Sequence, residues 1–583
     1  MKKVAIPEKL SIEVLQEMYA AGALTPEEVV LEIIERSERD VEMNIWITKP
    51  DMKFIGPYLE GLQKLDPNEA PLWGMPFAIK DNIDLAGVTT TAGCVGYSFI
   101  PEEHAYIVEK LVQAGAIPVG KANLDQFATG LVGTRSPYGE THNALDSSLI
   151  SGGSSSGSAV SVARGQTAFA LGTDTAGSGR VPAALNRLVG FKPSLGAWST
   201  EGVVPACASL DCVTVFANSI DDSKLVDSVV RGVNTQDPWS RNLEKPSYEL
   251  PTKILLPKGP LYFFGPYEKE YEAAWHHTVE TLEKGLIPVE YVDVELFSEA
   301  AAILYDGPWI AERWAALGEF IEANPDTAFE VTEKILRSGS GDHYDAASVF
   351  EAMYKLKELK NKTSKLLKGA VFIMPTAGGT WTRDEVRENP IATNSDMGRY
   401  TNHCNLLDLC AIAVPTKDTT DNIPFGITMF AEADQEGYIF GLAKLFSGEE
   451  LPTDKEKVRT TLVAVCGLHM RSFALEKQMI EYGATFIRED LTADKYKFIK
   501  LPTTPAKPGL LKRDQGGSSI EVEIWKMPLK EFGKFATAIP SPLGIGKVEL
   551  QDGAEVPGFI CEGYAEAGAL DITSLKSWRK VTL

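Results

Sequence analysis

Ser151-Gly152-Gly153-Ser154-Ser155-Ser156-Gly157-Ser158-Ala159 is the stretch on which the reading of this chain turns. Taken alone it has the composition of a flexible Gly/Ser linker. The residues after it point elsewhere: Ala159-Val160-Ser161-Val162-Ala163 and Thr167-Ala168-Phe169-Ala170-Leu171 suit a buried helix and a buried strand. The serines therefore sit at the ends of core elements. Upstream, Phe77-Ala78-Ile79 and Ala116-Ile117-Pro118-Val119 read as further short strands, alternating with helical stretches such as 107–114. That alternation predicts an α/β fold with a sheet buried on both faces. Residues 10–40 carry apolar side chains at helical spacing, and Thr25-Pro26-Glu27-Glu28 provides an N-cap and first turn for the second of two opening helices.

Toward the C-terminus the texture changes at Ser447-Gly448-Glu449-Glu450-Leu451-Pro452, which runs on into Thr453-Asp454-Lys455-Glu456-Lys457, a polar stretch with little to bury. The sequence predicts a first domain over 1–447, a linker over 448–457 and a small α+β domain over 458–583. In that second domain Thr461-Leu462-Val463-Ala464-Val465 opens a β-rich pattern. The alternating Ile520-Glu521-Val522-Glu523-Ile524-Trp525 reads as a half-exposed strand, and Gly544-Ile545-Gly546-Lys547 as a turn, since it lacks the third glycine and the setting of a phosphate loop.

The 583 residues include 57 Lys+Arg against 80 Asp+Glu, a formal charge of -23 that repels phosphate backbones and anionic membranes. Nucleic acid and membrane are therefore not expected as partners. Seven cysteines are scattered without a Cys-x-x-Cys pair, so neither a zinc site nor a disulfide framework is expected. With an early charged N-terminus and no apolar run of membrane-span length, the expectation is a cytoplasmic protein.

Gly153-Ser154-Ser155-Ser156-Gly157 also matches Gly-x-Ser-x-Gly, the nucleophile elbow of α/β-hydrolases, with Ser155 at its centre. That motif needs a strand directly before the turn, and residues 143–150 make a poor one. It also needs a histidine, and nothing around His403 or His469 singles either out for the role.

Four blocks in order carry a stronger resemblance: Gly74-Met75-Pro76-Phe77-Ala78-Ile79-Lys80-Asp81-Asn82, Gly152-Gly153-Ser154-Ser155, Gly172-Thr173-Asp174-Thr175-Ala176-Gly177-Ser178-Gly179-Arg180 and Gly190-Phe191-Lys192-Pro193-Ser194. Together they resemble the amidase signature family, which implies the amidase signature fold, an α/β architecture with a mixed central sheet covered by helices. The resemblance implies an amidohydrolase with a Ser-Ser-Lys triad: Ser178 as nucleophile, Ser154 as bridging serine and Lys80 as base, with a cis peptide between Gly153 and Ser154. Ser156, Ala176 and Gly179 depart from common family residues, but each exchange is small for small. No cofactor or metal is implied.

The chemistry accounts for these residue types. A Ser-Lys pair activates a hydroxyl without histidine if the lysine is neutral. Lysine ordinarily titrates near ~10.4, so Lys80 must be desolvated to act near neutrality. Thr175, Ala176, Gly177 and Ser178 form a run of small residues whose backbone N–H groups are expected to converge as an oxyanion hole. Asp174 and Arg180 read as braces for that loop.

Substrate selection must come from elsewhere. In Leu304-Tyr305-Asp306-Gly307-Pro308-Trp309-Ile310-Ala311-Glu312-Arg313-Trp314, Pro308 suits a helix first turn, with Tyr305 just before it and Arg313 in the second turn. A phenol, a guanidinium fork and a positive helix end could face one small carboxylate, but the segment alone reads rather as a surface Arg313 paired with a nearby acid while Trp309 and Trp314 pack in the core. The segment, with Pro375-Thr376-Ala377-Gly378-Gly379-Thr380, the stretch 401–410 and the C-terminal blocks Gly467-Leu468-His469-Met470, Pro505-Ala506-Lys507-Pro508-Gly509-Leu510 and Pro542-Leu543-Gly544-Ile545-Gly546, is similar to the allophanate hydrolases. That resemblance implies Tyr305 and Arg313 as ligands of urea-1-carboxylate, a homodimer, and metabolic coupling to a separate urea carboxylase. It also raises His469 as a group assisting a decarboxylation. The C-terminal part further resembles γ-glutamylcyclotransferase-like folds; a lone histidine there could as well be structural.

Overall fold

The computed structural model describes residues 5–305, 307–341, 344–417, 419, 423–451 and 460–581, apart from the side chains of Tyr305 and Lys530. Two compact units divide between Leu451 and Pro452. Residues 452–459, the greater part of the expected linker, lie outside the described residues.

The first unit is organised around eleven strands: β1 (Trp46–Thr48), β2 (Pro76–Lys80), β3 (Ile117–Ala122), β4 (Phe169–Asp174), β5 (Val189–Lys192), β6 (Cys212–Ala217), β7 (Lys253–Pro257), β8 (Val289–Val292), β9 (Ala370–Pro375), β10 (Leu409–Pro415) and β11 (Gly426–Glu432). They form one mixed sheet in the order β1-β3-β2-β4-β6-β5-β10-β11-β9-β7-β8. Every residue of β2, β3 and β4 is buried, as expected of strands covered on both faces. The opening helices Ile12–Ala20 and Pro26–Arg39 are present, the second with a full capping box between Thr25 and Glu28.

The glycine and serine run is not a linker. Helix Ser156–Ala163 begins within it and packs on β4, β2 and β3. A Cβ on Gly157 would lie 2.2 Å from the Ile45 carbonyl oxygen, so the glycine permits a close backbone approach that no larger residue allows. The segment 143–150 makes only isolated bridges, His142 to Ile150 and Leu149 to Thr382, and is no strand.

The second unit holds β12 (Thr460–Val465), β13 (Thr485–Leu491), β14 (Tyr496–Leu501), β15 (Lys507–Lys512), β16 (Glu521–Pro528), β17 (Leu543–Glu549), β18 (Glu555–Cys561) and β19 (Leu570–Asp571). A five-stranded sheet runs β13-β16-β12-β18-β17 and a three-stranded sheet β15-β14-β19. Two expectations are corrected here. The Gly544–Lys547 stretch lies inside β17 rather than in a turn, and a Cβ on Gly546 would meet the Ile560 side chain of β18 at 2.5 Å. β16 is more deeply enclosed than its alternation suggests. Glu523, on the face expected to be wet, is fully buried because Arg471 and Arg579 reach it at 3.0 and 2.6 Å. A charge can be buried when it is paired and hydrogen-bonded in this way.

Candidate active site

β2 runs parallel to β4, so their C-terminal ends leave the sheet at the same edge. Ile79 pairs with Leu171, which sets Lys80, the last residue of β2, beside the end of β4. There Lys80 Nζ donates to Ser154 Oγ and to Thr173 Oγ1, both at 2.7 Å. The structure thus brings Lys80 and Ser154 together and adds Thr173, a residue inside the third sequence block for which the motif alone suggests no role. The Gly153–Ser154 peptide is cis.

Lys80 has no solvent exposure. Burial pushes its pKa down to about 7, against the opposing pull of Asp125, Asp211 and Asp174. Each of these carboxylates is held by other donors. Asp125 accepts from the amides of Val132, Gly133 and Arg135. Asp211 accepts from Thr175 Oγ1 and from the amides of Ala206 and Cys207. Asp174 takes a bidentate bond from Arg180, at 2.9 and 3.0 Å, and both side chains are fully buried. With hydroxyls rather than a carboxylate in contact with Nζ, desolvation prevails.

The strand β4 leads directly into the loop that carries Ser178, which is 4% exposed. Arg180 donates to the Thr401 carbonyl oxygen and Asn405 Nδ2 to the Asp174 carbonyl oxygen, so the loop is fixed from the distant 401–405 segment as well as by its own brace. One expectation changes. The Gly177 amide donates to Asp174 Oδ1 at 2.8 Å, which engages it in holding the loop and leaves Thr175, Ala176 and Ser178 as the candidate oxyanion donors.

Ser155 lacks the preceding strand that a nucleophile elbow requires. Its buried hydroxyl donates to the Thr173 carbonyl oxygen at 3.1 Å and accepts from the Thr173 amide at 3.3 Å, tying the start of the helix to β4. His403 is enclosed by Phe297 and Phe430, and burial holds its pKa down to about 3.

Arg313 is 2% exposed, not a surface residue. Helix Ile310–Ala323 begins after Trp309, so Arg313 falls in its first turn rather than its second, and Tyr305 ends the preceding helix Glu295–Tyr305. Arg313 Nη1 donates to Thr129 Oγ1 at 2.9 Å. Burial raises the pKa of Asp211, the residue that anchors Thr175, and the bonds from Thr175, Ala206 and Cys207 together with the Arg313 charge oppose that rise. The Tyr305 side chain and Asp306 lie outside the described residues. Asp125, Thr129 and Asp211 carried no sequence signal, being single polar residues in stretches without a motif.

In the second unit His469 lines a cavity of about 230 Å³ together with Gln478, Lys507, Phe535 and Phe559. Its ring stacks on Phe559 at 5.0 Å and meets Phe535 edge-on at 5.4 Å. His469 Nε2 lies 2.8 Å from Gln478 Oε1. Burial lowers its pKa, with the Gln478 bond opposing and Lys507 assisting the shift.

Comparison with known proteins matches residues 28–440 to the amidase family and residues 461–582 to the allophanate hydrolase C-terminal domain. The chain is 37% identical over 573 residues to urea amidolyase of Saccharomyces cerevisiae, covering 92% of this chain but 31% of that protein. It therefore spans about a third of the length of the urea amidolyases it matches. It is 33% identical over 475 residues to a glutamyl-tRNA(Gln) amidotransferase subunit of Methanosarcina acetivorans, covering 74% of this chain and 94% of the relative. Among solved structures, Kluyveromyces lactis allophanate hydrolase superposes with a TM-score of 0.72 at 36% identity, with 98% of both chains covered. The sheet, the sequence blocks and these matches agree: the chain belongs to the amidase family and carries beyond it an allophanate hydrolase C-terminal domain.

Proposed function

We propose that this chain hydrolyses allophanate, urea-1-carboxylate, with Ser178 as nucleophile, Ser154 as proton relay and Lys80 as base. The observation that carries the reading is a fully buried lysine with its pKa near neutrality, 2.7 Å from the bridging serine. When neutral, Lys80 accepts the Ser154 proton while Ser154 accepts that of Ser178, and Ser178 attacks the terminal amide carbonyl. The oxyanion is met by the amides of Thr175, Ala176 and Ser178. Collapse expels ammonia with the proton returned through Ser154. Water then cleaves the acyl-enzyme to N-carboxycarbamate, which loses carbon dioxide. The resulting carbamate breaks down to ammonia and carbon dioxide.

Arg313 and Tyr305 are the proposed ligands of the substrate carboxylate. The burial of Arg313 and its lodging against Thr129 support this, because a desolvated guanidinium binds a carboxylate more strongly than an exposed one. His469 is proposed to assist the decarboxylation. We place the enzyme in the cytoplasm as a homodimer and after a separate biotin-dependent urea carboxylase, as the second step of urea degradation. Similarity to the urea amidolyases supports that coupling.

A second reading, an ammonia-delivering amidotransferase component, is favoured by the similarity to the M. acetivorans protein. The net charge of -23 argues against a tRNA-linked role. Ammonia release measured with allophanate, glutamine, acetamide and malonamate as separate substrates decides between them. Preference for allophanate supports the first reading, and turnover of glutamine in its place the second.

A further inference from the structure

A cavity of about 430 Å³ opens beside the Ser178 loop, lined on different elements by Arg135, Arg399, Asn402, Asn394, Ile310 and Ser338 among others. None of the described residues that line it is acidic, in a protein whose net charge is -23. Its walls reach the proposed centre at two points. Asn402, with its amide oriented so that the nitrogen faces acceptors, donates to the Ala176 carbonyl oxygen at 2.9 Å. Arg135 Nη1 donates to the Thr129 carbonyl oxygen at 3.0 Å while Arg313 holds the Thr129 hydroxyl, so one threonine joins the cavity arginine to the proposed substrate arginine.

We infer that this cavity is an anion-gathering vestibule through which a small carboxylate substrate reaches Ser178, and that Arg399 is its specificity-determining residue. The inference deepens the function proposed above and rests on its assignment of Ser178. Arg399 stacks over the Tyr262 ring at 4.5 Å and is half exposed. Asp396, the acid paired with it, lies 3.8 Å away, beyond hydrogen-bond range. Arg399 therefore brings a half-exposed, loosely paired positive charge to the cavity wall. An arginine in a low-dielectric concavity attracts carboxylates from beyond contact distance, an effect that weakens with salt. Arg135 is bound to the Thr129 and Pro390 carbonyl oxygens and adds fixed positive charge deeper in.

The test compares malonamate with malonamide, isosteres that differ in charge, by calorimetric binding to full-length Ser178→Ala protein and by turnover in the active enzyme. Arg399→Gln should lower the malonamate-to-malonamide preference about tenfold at low ionic strength and flatten its salt dependence. Asn394→Asp is a second variant that retains the acceptor bonded by the Leu131 amide while adding a negative charge to the cavity. It should lower the preference in the same direction. An unaltered preference and salt dependence in both variants overturns the vestibule, as does the absence of any anion preference in the parent protein. If the preference for malonamate is present and lost in both variants while allophanate is not cleaved, the vestibule stands and the substrate proposal fails.

Discussion

The two units neutralise a basic side chain in different ways. Around Lys80 the first unit gathers three carboxylates, yet the oxygens of Asp125, Asp174 and Asp211 are occupied by amides, a hydroxyl or Arg180, and among the described residues Lys80 donates hydrogen bonds to Ser154 and Thr173 alone. The acids moderate the cost of burial without forming an ion pair, and the lysine settles at about 7. Around His469 the second unit offers two aromatic rings and one amide. Neutrality there follows from enclosure, with no carboxylate bonded to the ring among the described residues. The first arrangement is tuned by opposing effects and the second is passive, so mutations should alter chemistry more steeply in the first.

The largest effect tests whether the first centre works through Ser178. Ser178→Ala should lower ammonia release by about 10³-fold or more, as loss of a nucleophile does, with an unchanged circular dichroism spectrum. Ser155→Ala should retain much of the activity and cost about 1 kcal/mol of stability through the lost bonds to Thr173. Equal losses in the two would return the elbow reading to contention.

Next in size, Lys80→Met should reduce activity about 10²- to 10⁴-fold, the range of a general base. In the native enzyme the rate should rise with pH through about 7, because the neutral amine is the competent form. Stability should carry the matching signature. The folded pKa lies below that of the unfolded chain, so at this site the unfolded state binds more protons between about 7 and about 10.4, and the contribution of Lys80 to stability rises with pH across that window. Chemical denaturation of the native and Lys80→Met proteins at a series of pH values would expose this contribution as a stability difference that rises with pH. Full activity at pH 5 would contradict a neutral lysine.

A smaller effect is expected at the substrate end. Arg313→Gln should raise KM for allophanate about 10- to 100-fold, the value of one charge-assisted bidentate contact. A neutral short amide should be affected much less, and comparable losses on both would indicate a folding defect. The smallest effect belongs to the second unit. His469→Ala should leave the first ammonia release within about twofold while N-carboxycarbamate accumulates transiently, as seen by carbon NMR with labelled substrate. A silent His469→Ala would make the aromatic enclosure purely structural.

Local features were the legible ones. The blocks that carry Lys80, Ser154 and Ser178 each lie on one transition between a core element and a loop, and short-range pattern suffices to find such positions. Asp125, Thr129 and Asp211 escaped because their importance arises only when sheet order places distant loops together. Glu523 escaped for the same reason: its alternation reads as wet until Arg471 and Arg579 arrive to pair it. Pro308 points to a helix start that comes too early, and so to a second-turn Arg313, because it precedes Ile310–Ala323 instead of opening it. The Gly544–Lys547 stretch resembles a turn only in composition, since Gly546 serves the close approach of Ile560 and not a reversal of the chain.

The tie between the Ser178 loop and residues 401–405 has a consequence for the birth of the protein. Lys80, Ser154 and Ser178 all lie in the first third of the chain, but Arg180 and Asn405 complete their bonds only across 221 and 231 residues of separation. β5 likewise waits for β10, since Gly190 pairs with Ala413. Contacts of such long range form late, after the ribosome has released the distal segment. A nascent or truncated chain ending before residue 401 carries the whole proposed trio without the clamp that holds the Ser178 loop. Emergence of that distal region is therefore the event in synthesis that completes the Ser178 loop.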